Sequence, residues 1–217
     1  MTPSNLLLAL VLNCAVAMPS YAQFGVAWRV SPSVTVIGAE SDPRQVMVEK
    51  AVAFWNRTLQ EQGTSFRIGS ITKLKDAIPE FELAGLSNAV VGRSGVKVSV
   101  PAALTNHTGD LLIYLGDTVF VSFVSPFSAN QKKVVGLRTL SAPPMSLPNV
   151  ALNVVIHELG HAIGIGHSSD ETTLMCGRPA NCRPDSFFLN EEKIFPLSEL
   201  ELTQIRAMYP STWKAQP

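Results

Sequence analysis

Charge is scarce in this chain and favours neither sign. Charged residues make up 16% of the 217, with 17 basic side chains against 17 acidic ones. Zero net charge leaves no electrostatic footprint for nucleic acid or for an anionic membrane surface, so neither is expected as a partner. Internal repeats, low-complexity tracts and linker-like stretches are also missing. The first apolar run has no Lys or Arg before it, and it is too short to cross a bilayer comfortably. Against these absences stands an apolar content of 46%, which argues for a globular fold and against a disordered chain. The length suits one domain with a sizeable core.

The N-terminal segment differs from the rest. Residues 6–17 read LLLALVLNCAVA, followed by Met18-Pro19-Ser20-Tyr21-Ala22. Small residues at Ser20 and Ala22 fit cleavage before Gln23, so 1–22 is expected to be a signal peptide and 23–217 the mature domain. The alternatives are an uncleaved anchor and a lipid-modified Cys14, the latter disfavoured by Asn13. Export would place the protein outside the cell or in a periplasm. There Cys176 and Cys182 are expected to form a disulfide closing a small loop; metal ligation by these thiols would lack a second pair.

The remaining chain reads as sheet first, with one long early helix. Asp42-Pro43-Arg44-Gln45 predicts a helix start, with Asp42 as N-cap, Pro43 at the first position and Gln45 closing a capping box. Val48, Val52, Trp55 and Leu59 then recur at helical spacing until Gly63. Strands are expected at 34–37, 65–71, 110–115, 119–124 and 134–140. Between 76 and 108 the signals are mixed. A second helix is expected over 149–163, and a third opens at Ser198 with a capping box to Glu201 and stops at Pro210. The Pro-rich stretch between them, 168–196, is long enough to imply a functional loop.

The chemistry concentrates in one window, His157-Glu158-Leu159-Gly160-His161-Ala162-Ile163-Gly164-Ile165-Gly166-His167. Three of the four histidines fall here. Residues four apart share a helix face, so His157 and His161 can reach one ion, and neutral imidazole suits Zn²⁺. Gly164 can take the left-handed conformation that ends a helix, Gly166 adds freedom, and His167 returns as third ligand. Three protein ligands leave a position for water, as in catalytic rather than structural zinc sites. Glu158, beside the first ligand, is placed to act as general base toward that water. Five fixed identities in eleven positions arise by accident in on the order of one in ten thousand chains of this size.

The string HELGHAIGIGH resembles the metzincin zinc peptidases. Its continuation His167-Ser168-Ser169-Asp170-Glu171-Thr172-Thr173-Leu174-Met175 is similar to the matrixin branch, which includes the matrix metalloproteinases. The resemblance implies that Met175 is the Met-turn residue beneath the ligands, and that the loop from Cys176 onward walls the pocket beyond the scissile bond. A sheet edge, taken as 119–124, is expected either to hold substrate as an added antiparallel strand or to be a plain core strand. The departures are informative. Only His107 remains of the histidines that hold a second, structural zinc in matrix metalloproteinases. No pro-segment with a blocking cysteine is recognised, and Cys176 stands where the family usually has an aromatic. Ca²⁺ has weak candidates in Asp110, Asp117 and Asp170. Asn56 and Asn106 begin glycosylation sequons, and Glu191-Glu192-Lys193 reads as a solvated stretch.

The expected architecture is a single α+β domain of metzincin, zincin-like type. It has a twisted mixed β-sheet, an early helix, an active-site helix and a small C-terminal part ending in a helix. The expected activity is that of a secreted zinc-dependent endopeptidase with one catalytic ion, a polypeptide substrate bound as an extended strand, and a monomeric state. The alternatives are a catalytically weak zinc-bound protein- or peptide-binding module and a small-molecule amide hydrolase.

Overall fold

The computed structural model describes residues 26–92, 98–177, 182 and 192–216. The expected signal peptide and most of the loop beyond Cys176 lie outside the described residues. Five strands form one sheet in the order β2-β1-β3-β5-β4. They are β1 (Val34–Ile37), β2 (Ile71–Leu74), β3 (Leu111–Leu115), β4 (Phe123–Val124) and β5 (Lys133–Leu137). All neighbours are parallel except β4, which pairs antiparallel with β5 and forms one edge.

Strands β1, β3 and β5 are buried along their whole length. That follows from a parallel sheet covered on both faces, where near-continuous apolar runs replace alternation. On one face Val34, Val36, Leu111, Ile113, Val135 and Leu137 meet the helices α1 (Arg44–Glu61) and α3 (Pro148–Ala162). On the other, Leu112, Tyr114, Phe123 and Val134 meet Leu83 and Leu86 of α2 (Glu80–Gly92). A fourth helix, α4 (Glu199–Met208), closes the domain with the predicted Ser198–Glu201 capping box intact. The α+β class and the mixed sheet are as expected.

Two expected strands need correction, and one helix was not anticipated. Residues 65–70 are not strand; only Gly69 N and Ser70 O bond across to Pro32 O and Val34 N, and the strand itself begins at Ile71. The Asn56 side chain takes both the N–H and the C=O of Ile68, at 2.8 and 2.9 Å, while Thr64 Oγ1 accepts from Phe66 N. Side chains thus occupy groups that a strand neighbour would need. The Asn56 amide, so engaged, is not placed as a glycan acceptor. The edge strand expected over 119–124 contracts to Phe123–Val124. Helix α2 was not foreseen, because only Leu83, Leu86 and Ser87 on it are buried and its sequence carries no 3.6-residue stripe.

At the start of α1, Asp42 accepts from the backbone N–H of Arg44 at 2.8 Å. Gln45 does not close the expected capping box; its amide donates to Ala39 O instead. The unforeseen element is Arg44 itself, 3% exposed. Its Nη1 donates to Gly116 O, Leu137 O and Arg138 O, at 2.8, 2.7 and 2.9 Å, and the guanidinium pairs with Asp42. One side chain therefore ties α1 to the ends of β3 and β5. Arg44→Met should cost about 3 kcal/mol in urea unfolding, because it takes the guanidinium away from Gly116 O, Arg138 O and the Asp42 carboxylate.

Candidate metal centre

The sequence 148–162 sets Asn149, Asn153, His157 and His161 four residues apart along one side and is largely apolar elsewhere, and α3 packs between α1 and the sheet. Trp55 Nε1 of α1 donates to Ile156 O at 2.8 Å, and a Cβ on Gly160 would lie 2.7 Å from the same indole. The close approach of α1 and α3 therefore depends on glycine at 160. After Ala162 the helix stops in a Schellman turn: Ile165 N donates to Gly160 O and Gly164 N to His161 O, with Gly164 at φ 103°. The turn directs the chain back on itself, as the glycine spacing predicted.

His157, His161 and His167 converge, with ligand atoms all within 4.8 Å of one another. Among the described residues this is the one such group of three or more His, Cys, Asp or Glu side chains. His157 Nδ1 lies 2.9 Å from Leu174 O, and His161 Nδ1 lies 2.7 Å from Ile165 O. A carbonyl oxygen can only accept, so both Nδ1 atoms carry hydrogen and both Nε2 atoms present a lone pair. The Nε2 atoms of His161 and His167 are 3.0 Å apart. Two nitrogens bound tetrahedrally to one zinc at about 2.0–2.1 Å would stand roughly 3.3 Å apart, so the His161–His167 pair suits a shared Zn²⁺ ion, with the third ligand atom within 4.8 Å.

Electrostatics points the same way. Burial holds His161 well below the ordinary imidazole value, the neighbouring His157 and His167 adding to the effect, and burial also lowers His167. Neutral, acceptor-competent imidazoles are what a cation requires. Glu158 is 7% exposed, and none of the described residues hydrogen-bonds its carboxylate. Burial pushes that carboxyl up to about 8. A buried carboxyl without a partner is costly unless a cation or a proton-carrying substrate shares the site.

Met175 is fully buried, and its Sδ would lie 2.6 Å from a Cβ on Gly160. It thus packs against α3 at Gly160. Its backbone is held on both sides: Ser168 N donates to Met175 O at 2.7 Å, and Met175 N donates to Glu201 Oε1 at 3.2 Å. The other oxygen of Glu201 closes the Ser198 cap at 2.7 Å. One buried carboxylate thereby joins α4 to the Met turn, a link the capping signature alone could not reveal. Cys176 and Cys182 are disulfide-bonded, with Cα atoms 5.7 Å apart. The loop's return is fastened to α3, where Asn149 and Asn153 bond the backbone of Lys193 and Phe195.

Gly177 escaped the sequence reading. A Cβ there would lie 2.1 Å from Cγ of His167, so the backbone at 177 is the surface on which the third imidazole rests. The Ca²⁺ candidates do not come together. Asp110 accepts from the N–H and hydroxyl of Ser33, Asp170 caps Thr172, and Asp117 is solvent-exposed. His107 lies 3.8 Å from Asp76 and beside the Tyr114 ring.

A three-imidazole centre on a helix and its returning turn, with a buried methionine packed against that helix, is zinc-metallopeptidase-like. Residues 128–200 match the family model described as Matrixin, so the resemblance drawn from the motif holds over the segment from just before β5 to the start of α4. No curated protein sequence matches significantly. Among solved structures the chain is similar to the crystal structure of archaemetzincin from Methanopyrus kandleri. The identity is 14%, the TM-score 0.45, and the match covers 83% of this chain and 96% of that one.

Proposed function

We propose that the chain is a secreted zinc-dependent endopeptidase in which His157, His161 and His167 hold the metal and Glu158 is the general base. The observation that carries the reading is the convergence of three imidazoles, two with their tautomers set by backbone carbonyls, beside a buried carboxyl. Zinc in that position supplies Lewis acidity and a water of lowered pKa. Glu158 takes a proton from the attacking water and returns it to the departing amine. Edge strand β4, antiparallel to β5, supports binding of an extended peptide as an added strand. The Cys176–Cys182 disulfide supports an oxidising compartment, and the mature N-terminus would be Gln23.

Metal analysis of the purified protein, combined with digestion of a peptide library, tests the reading. One equivalent of zinc with internal cleavage is expected; zinc without cleavage would leave a binding module. Acid should release the metal as the imidazoles protonate. His161 and His167 sit below their ordinary value of 6.5, so retention should persist to a lower pH than for exposed histidines. Zinc retained after dialysis at stepped pH should fall to half only below about pH 6.

A further inference from the structure

Lysine 133 is 2% exposed, on the same inward face of β5 as Val135 and Leu137. Lysine is almost never this buried unless paired, and no carboxylate among the described residues pairs with it. Its Nζ instead donates to Ala162 O at 2.9 Å and lies 4.5 Å from the Phe127 ring centroid and 5.6 Å from that of Trp28. Burial lowers the ammonium to about 8, which keeps it protonated at neutral pH.

Ala162 is the last residue of the metal helix, and its carbonyl is one of the groups the helix itself cannot satisfy. Trp28 Nε1 donates to the same oxygen at 2.8 Å. The next carbonyl, of Ile163, accepts from the Tyr209 hydroxyl at 2.8 Å, and that hydroxyl accepts in turn from Trp28 N. Three side chains from three separate parts of the chain thus meet at the two carbonyls between His161 and Gly164. Those carbonyls lie where the backbone must leave the helix for His167 to reach its partners.

We infer that Lys133, with Trp28 and Tyr209, is a positioning residue for the metal centre, clamping the carbonyl end of α3 so that the following turn delivers His167 to His157 and His161. The inference rests on the zinc reading above. It opposes a simpler electrostatic expectation. An ammonium near a bound cation repels it, so removing that charge alone would tighten zinc binding. Removing a clamp loosens it.

The experiment compares wild type, Lys133→Met and Tyr209→Phe by zinc affinity against a chromophoric chelator, and by the visible absorption of the Co²⁺-loaded proteins, which reports ligand geometry. Tyr209→Phe preserves the ring stacked on Phe66 at 3.9 Å, so it remains informative should Lys133→Met fail to fold. Both variants are expected to lose about 10-fold or more in zinc affinity, with a displaced Co²⁺ band. Wild-type affinity and an unchanged band in Tyr209→Phe, or tighter zinc binding by Lys133→Met, overturns the clamp. Absence of zinc and Co²⁺ binding by wild type would instead remove the metal reading beneath it.

Discussion

Glu158→Gln is expected to keep a full equivalent of zinc while losing about 10²–10⁴-fold in kcat/KM on a peptide substrate. The amide is nearly isosteric and leaves the backbone anchors of His157 and His161 in place, so metal content and activity should separate. A second readout follows from the raised carboxyl. A group near 8 when folded, against an ordinary 4.5, binds more protons in the native state than in the unfolded one. It therefore destabilises the metal-free fold increasingly as pH climbs from about 4.5 toward 8. Removing it should raise the metal-free Tm at neutral pH and leave it unchanged at pH 4. Undiminished hydrolysis by the variant would eliminate Glu158 as the base, whatever its zinc content.

Gly177→Ala should weaken zinc binding by about 10–100-fold without unfolding the domain. The new Cβ would stand 2.1, 2.2 and 2.5 Å from Cγ, Cδ2 and Nδ1 of His167. Those atoms sit close to the His167 backbone, so small torsional adjustments cannot clear them, and the ring must leave its rotamer. The backbone at 177 does not have the positive φ that disfavours side chains. His167 is itself solvent-exposed, so displacing it opens no cavity, and the metal-free protein should unfold within about 0.5 kcal/mol of wild type. Competition with a chelator measures the first effect and urea unfolding the second. Equal affinities would mean that the third ligand is not seated against this backbone.

Both predictions concern one centre, yet only one was visible in the amino acids. Glu158 announces itself because His157 and His161 impose helical spacing around it, and local spacing survives folding. Gly177 matters through a contact ten residues away that exists only once Ser168 and Cys176 have bridged, and no periodicity encodes it. The elements divide similarly. Val48, Val52, Trp55 and Leu59 predicted α1 because half of that helix faces water and half does not. Strands β1, β3 and β5 were legible as short apolar runs. Helix α2 was opaque, since it buries little and its apolar residues lie on every side. The strand expected at 65–71 failed because hydrophobic alternation reported burial of Phe66 and Ile68 correctly, while Asn56 had already claimed the backbone. Glu201 was read as a cap, yet its second oxygen serves the Met turn, a tertiary role that a local signature leaves unstated.

The tryptophans have a practical use. The chain contains three, and the indoles of Trp28 and Trp55 are hydrogen-bonded to α3 just beyond His161 and just before His157, at Ala162 O and Ile156 O. Trp55 and the Met175 thioether both lie against Gly160 of that helix. Ultraviolet emission from these rings should therefore change as metal enters or leaves, giving a label-free optical titration of occupancy in the unmodified protein.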